Sequence, residues 1–153
     1  MASWREFEAE EPELASFGLG RLSVPPAYLA TIRADGRPRV HPVTPVFGAG
    51  RLFVFMEPTS PKGRDLRERC HFALHNGVPD TFGTGGEFFI SGAANQVENA
   101  EVRAQAAAAA AYPPEDRYVL FELQLTEARC NGYGDVPLPD KSRWRAGSSR
   151  GFQ

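Results

Sequence analysis

Apolar and polar positions alternate with a period of two over several short runs, and turn residues separate the runs. AYLATIR (27–33) reads as a strand, and Asp35-Gly36 predicts a two-residue type I′ hairpin into the next one. RPRVHPVTPVF (37–47) alternates its faces, Gly48-Ala49-Gly50 turns the chain, and RLFVFM (51–56) returns as an apolar partner. Pro38, Pro42 and Pro45 cannot donate to a ladder, which assigns their strand to an edge, a bulge or a barrel rim. HFALHN (71–76) and EFFISGAANQV (87–97) are further strands, with Gly92 marking a bend or a close approach. YVLFELQLTEARC (118–130) alternates longest: Val119, Phe121, Leu123 and Leu125 form the core face, and Tyr118, Leu120, Glu122, Gln124 and Thr126 the other.

Helical signals are fewer. One short helix is predicted from Glu13 towards Phe17, ended by Gly18 and Gly20, with Phe7, Leu14 and Phe17 against the sheet. A second spans 62–69, capped by Ser60 with Pro61 at its first position. The alanine run within Asn95 to Tyr112 predicts a third, stopped by Pro113-Pro114. GVPDTFGTGG (77–86) reads as a mobile loop, and the chain from about 131 as a poorly ordered tail with Trp144 its only large anchor. About six strands joined mostly as hairpins, with two or three helices, predict a mainly β (α+β) fold: a six-stranded antiparallel barrel with peripheral helices.

Composition narrows the classes. A chain of 153 residues makes one domain, 1–153, with a core that needs no staples. Two cysteines in unrelated contexts form no disulfide framework and point to a reducing cytoplasm. The acidic start MASWREFEAEE lacks an apolar signal core, and no run is long enough for a membrane helix. Seventeen basic against nineteen acidic residues argue against nucleic acid as the main partner.

The densest chemistry lies between Arg37 and His75. Lys62 falls in the first turn of a helix, where the dipole disfavours a cation unless an anion is bound there. Arg39 and Lys62 read either as ordinary surface charges or as a phosphate cradle, and Ser60 serves as a helix cap in both cases. His71 and His75 share one strand face roughly 13 Å apart at ~3.3 Å per residue, too far to hold one metal ion. No nucleophile elbow and no dinucleotide fingerprint is present.

The ordered set ATIRADGRPRVHPV (Ala30 to Val43), RLFVFM, SPKGRDLR (Ser60 to Arg67), HFALH and EFFISGAA (Glu87 to Ala94) resembles the FMN-binding split-barrel proteins of the pyridoxamine 5′-phosphate oxidase-like superfamily. The resemblance implies that the barrel is split. It implies that Arg39 and Lys62 hold the flavin phosphate, and that His41, Val43, Thr44, Phe55, Met56, Ser60 and Pro61 line the cofactor. Glu87 stands where the family has a hydrogen-bonding side chain, often Gln, near the isoalloxazine edge. A homodimer with FMN at the interface is implied, with hydride transfer to or from a small conjugated substrate and no assigned catalytic side chain. The C-terminal KSRWRAGSSRGFQ departs from that of the oxidase itself. A deazaflavin coenzyme, a haem-handling role and non-catalytic flavin binding are the alternatives.

Overall fold

In the computed structural model, which describes residues 1–148, the strands are β1 (Ala27–Ile32), β2 (Pro38–Val43), β3 (Val46–Gly48), β4 (Arg51–Met56), β5 (His71–Asn76), β6 (Glu87–Gln96), β7 (Val119–Asn131) and β8 (Arg143–Arg145). The helices are α1 (Trp4–Glu10), α2 (Pro12–Leu22), α3 (Pro61–Glu68) and α4 (Ala100–Ala109). All pairings are antiparallel, in the order β2-β1-β5-β6-β7-β4-β3, with β8 added to β7.

That order dictates the shape. β2 and β3 lie at opposite edges, yet only Thr44 and Pro45 separate them in the chain. The three steps from Val43 to Val46 reach at most about 10–11 Å, so the sheet must curl until its edges nearly meet. The expected split barrel is therefore present as an antiparallel curled sheet with two additional short strands and four helices. The single strand expected over 37–47 is divided at Thr44-Pro45, because a proline that cannot donate ends one ladder and lets the chain cross to the other edge.

The inner face carries the main core, including Leu29, Leu52, Leu74, Phe88, Ile90, Phe121 and Leu123. A smaller cluster of Val46, Phe53, Phe55, Ala106 and Leu120 lies on the other face of β4 and β7, beneath α4. Leu120 and Glu122, assigned to a non-core face, are accordingly buried as well. α4 begins at Ala100, with Asn99 accepting from the amides of Glu101 and Val102, and Asn95 and Gln96 still belong to β6. At Gly92 the register of β6 on β7 shifts, and a Cβ there would overlap the Gln124 carbonyl, which accounts for the expected close approach.

Three local expectations need correction. The β1–β2 turn has positive φ only at Gly36, and the Gly36 amide donates to the Arg33 carbonyl (2.8 Å) while that of Arg33 donates to Arg37. It is a three-residue turn with a terminal left-handed glycine, not a type I′ pair. The N-terminal region forms two helices: Ser3 and Glu6 make a capping box that starts α1, and Pro12 opens α2. Gly18 and Gly20 lie inside α2, and Gly18 is where that helix packs against the Phe88 ring. Beyond 131 the chain is not wholly irregular, since β8 pairs Ala128 with Trp144. Trp144 is buried as the expected anchor, its indole donating to Glu10 (2.6 Å) and its ring 4.8 Å from that of Phe7. Trp4 contacts Phe7 from another side at 5.2 Å. No described helix is long and apolar enough to cross a membrane.

Candidate functional site

The β2 edge brings polar groups onto the inner face, where a core would otherwise be expected. Arg39 pairs with Thr31 and His41 with Leu29, so both side chains point inward. α3 packs on β1 and closes that end. Its start is built as the residue types require: Ser60 accepts from the Gly63 amide (3.2 Å), Pro61 occupies the first position, and Met56 packs under Gly63. Pro61 has no N–H and that of Gly63 is used, which leaves the Lys62 amide as the unspent donor of the first three helical residues.

Asp65 organises the cluster. Its carboxylate is buried and accepts from the Thr31 hydroxyl (2.7 Å) and from Arg39 Nε (2.8 Å), with Arg69 at 3.7 Å. Burial alone would push this acid up, but the Thr31 hydroxyl and the Arg39 and Arg69 guanidinium groups outweigh it and hold it below the ordinary carboxylate value. Arg39 thereby spends Nε on Asp65 and keeps its two terminal nitrogens for another acceptor.

Lys62 is partly buried, and among the described residues no carboxylate pairs with it; burial lowers its pKa. His41 Nε2 is buried without a hydrogen-bond partner. Burial lowers the His41 pKa first, and the neighbouring Lys62 and Arg39 charges lower it further, with Asp65 opposing. The site thus gathers a fixed guanidinium, an unpaired ammonium, an imidazole whose buried Nε2 has no partner, and a free helix amide. The chemistry of this set suits a compact anion of high charge density.

Arg39, His41, Ser60, Pro61 and Lys62 are brought together, with Met56 beneath them and Val43 buried in the adjoining core. Thr44 lies on the link between the barrel edges. Phe55 is separated from this group: it faces the cluster beneath α4, with the Arg103 guanidinium 5.5 Å from its ring. Glu87 belongs to the outer face, beside Asn131 at 3.4 Å. Asp65 was the residue that sequence reasoning missed. Its available signal was the spacing of Lys62, Asp65, Leu66 and Arg69 along one helical face.

A second concavity of about 550 Å³ lies around Glu87, lined by His75, Phe89, Arg129, Asn131 and Arg143. His75 Nδ1 is 2.6 Å from the Asn76 carbonyl. A carbonyl only accepts, so Nδ1 carries the proton and Nε2 remains a lone-pair donor. Among the described residues, no group of three or more His, Cys, Asp or Glu side chains forms a metal set.

No family model and no curated protein matches this chain. Solved structures do. A conserved hypothetical protein from Mycobacterium tuberculosis matches with a TM-score of 0.68 and 22% identity, covering 91% of this chain and 93% of that one. The heme storage protein HutZ from Vibrio cholerae matches at 0.64 and 22% identity, covering 83% and 98%. A heme binding protein from Mycobacterium smegmatis matches at 0.65 and 19% identity over 85% of this chain, which spans only 57% of that protein's length. Likeness at this level of identity concerns the fold.

Proposed function

We propose that the chain is an FMN-binding oxidoreductase whose Arg39, His41 and Lys62 hold the flavin phosphate at the start of α3. The observation that carries this reading is His41 Nε2, buried without a partner in a neighbourhood that also holds two cations. A buried polar nitrogen left unsatisfied costs about 1–3 kcal/mol, and a phosphate oxygen would remove that cost for the tautomer protonated there. Since phosphate oxygens accept, the matching tautomer carries the proton on Nε2. Arg39 offers its terminal nitrogens in an orientation fixed by Asp65, and Lys62 supplies its ammonium and its backbone amide. Bound flavin would supply hydride chemistry towards a small conjugated substrate, while the protein orients the ring and shields it from water.

A homodimer completes the site in this reading. The outer face of β1 and β2 exposes Val40 (62%) and Tyr28 (45%), and a second copy would cover them and wall the cradle. Light scattering of the flavin-loaded protein should give twice the chain mass, and a flavin-bound monomer would remove the shared site. The free cysteines Cys70 and Cys130 suit a reducing cytoplasm.

The decisive experiment substitutes Lys62. Loss of one charge-assisted contact to a dianion is worth about 1.5–3 kcal/mol, so Lys62→Ala should weaken FMN roughly 10- to 150-fold. Riboflavin, which lacks the phosphate, should be unaffected. Equal loss for both ligands would show that Lys62 acts through folding. Mass identification of the released ligand separates FMN from a deazaflavin coenzyme, which uses the same phosphate chemistry.

One observation favours a haem reading as the second possibility. His75 presents a free Nε2 in a concavity that also carries Arg129 and Arg143, a set suited to an axial ligand and two carboxylates. Haem binding there should survive Lys62→Ala and vanish with His75→Ala.

A further inference from the structure

A concavity larger than the one around Glu87 lies apart from both sites just described. It is an open groove of about 1000 Å³ between α2, the 77–86 loop and the 132–137 segment. Phe17, Phe82 and Tyr133 provide its aromatic walls. Phe82 is 80% exposed and Tyr133 54%, the kind of uncovered aromatic surface that monomeric domains seldom leave without a use.

Phe82 is not on a slack loop. The Asp80 carboxylate accepts from the amides of Phe82 (3.0 Å) and Thr84 (3.1 Å) and from the Thr84 hydroxyl. Asn76, buried at the base, accepts from the Phe88 amide (2.8 Å) and donates to the Gly77 and Gly86 carbonyls. The backbone that carries Phe82 is therefore braced before any ligand arrives, which lowers the ordering cost of the loop on binding.

Arg21 provides the charge. It closes one end of the groove and also lines a neighbouring apolar concavity of about 370 Å³ beside Val24, Pro26 and Tyr28. Gly85, at φ +85°, brings the loop backbone against the Arg21 guanidinium where any Cβ would overlap it. Among the described residues Arg21 has no carboxylate within ion-pair distance, whereas Arg39, Arg51 and Arg69 all have one. Asp135 also lines the groove and disfavours a second negative charge.

We propose that this groove binds a planar aromatic carboxylate, its ring between Phe17, Phe82 and Tyr133 and its single negative charge on Arg21. Aromatic faces supply area and stacking, and the guanidinium supplies a two-point contact that suits a carboxylate. This is a different demand from that of the α3 cradle, where a compact dianion is met by two cations.

The test uses 1-naphthoate and its uncharged analogue 1-naphthamide as probes, titrated calorimetrically into the full chain. Naphthoate should bind saturably in the sub-millimolar range and more tightly than naphthamide. Arg21→Gln should weaken naphthoate about tenfold or more and leave naphthamide within about twofold. Phe82→Ser, at a site exposed enough to spare the fold, should weaken both. Lys62→Ala should change neither. The proposal is overturned if naphthoate shows no saturable binding or no preference over naphthamide. It is equally overturned if Lys62→Ala abolishes naphthoate binding, which would place the probe in the cradle, or if Phe82→Ser turns a dimer into a monomer, which would make the groove a contact between copies.

Discussion

The two edges of the curled sheet are joined by two residues, yet they solve opposite problems. At the β3–β4 edge, α4 covers the sheet and the buried side chains of the cluster are apolar, Phe53 and Leu120 among them; its one buried acid, Glu122, is met by Arg51 at 3.0 Å. At the β2 edge, α3 covers the sheet only in part, and the inner face carries Arg39 and His41. One buried acid, Asp65, compensates part of that charge, while Lys62 and His41 Nε2 keep capacity unspent. The first edge is complete within the chain. The second has the excess of donors that a bound anion would use.

Three substitutions sharpen or break that contrast. Phe53→Ala empties a fully buried position and should cost about 3–5 kcal/mol in urea unfolding, with FMN affinity per folded molecule unchanged. A fall in affinity as large as that for Lys62→Ala would mean the two edges are energetically one. Asp65→Ala removes the acid that holds Thr31 and Arg39. It should cost about 2–4 kcal/mol, somewhat less than the ~3–5 kcal/mol of a fully buried broken pair because Arg39 and Arg69 are partly exposed. Here flavin affinity should fall together with stability, since Arg39 loses its orientation. If only stability falls, Asp65 is a structural acid and nothing more.

The smallest effect concerns pH. The folded His41 value lies below the ordinary ~6.5, so the unfolded chain takes up this proton first and stability declines as pH falls from about 6.5 through the folded value. His41→Gln should flatten that stretch of the stability profile. Asp65 acts lower down: its contribution is present above its unfolded value and is lost as pH falls through the depressed folded one. An unaltered profile in His41→Gln would show that the imidazole is not shielded as described.

Local signals located most of the sheet. β1, β4, β5, β6 and β7 lie where period-two runs between turn residues placed them, and α3 starts at its Ser60-Pro61 signal. What failed needed distant partners. Gly18 and Gly20 look like helix stops until Phe88, 70 positions beyond Gly18, is packed against α2. The crossing at Thr44-Pro45 is hidden because the period of two continues through it while the strand changes edges. β8 has only three residues, too few to show a period. The capping box of Ser3 and Glu6 is legible in its Ser-x-x-Glu spacing, although the acidic residues around it mask the signal. At the candidate site, Lys62 was legible as a cation in the first turn of a helix, and Arg39 and His41 through the family resemblance. Asp65 was legible only as a member of one helical face, because its partners Thr31 and Arg39 are 34 and 26 positions away.

The chain has two tryptophans, and both touch the same ring, Phe7, where α1 meets β8. Intrinsic emission excited at the indole band is therefore a local gauge of the seam that joins the two ends of the chain. Detachment of α1 or β8 would change the emission wavelength while the curled sheet still gave its full far-ultraviolet circular dichroism. Denaturation followed by both signals would register fraying of the ends as a gap between two curves. A variant altered at the α3 cradle would leave the fluorescence trace of the native state untouched.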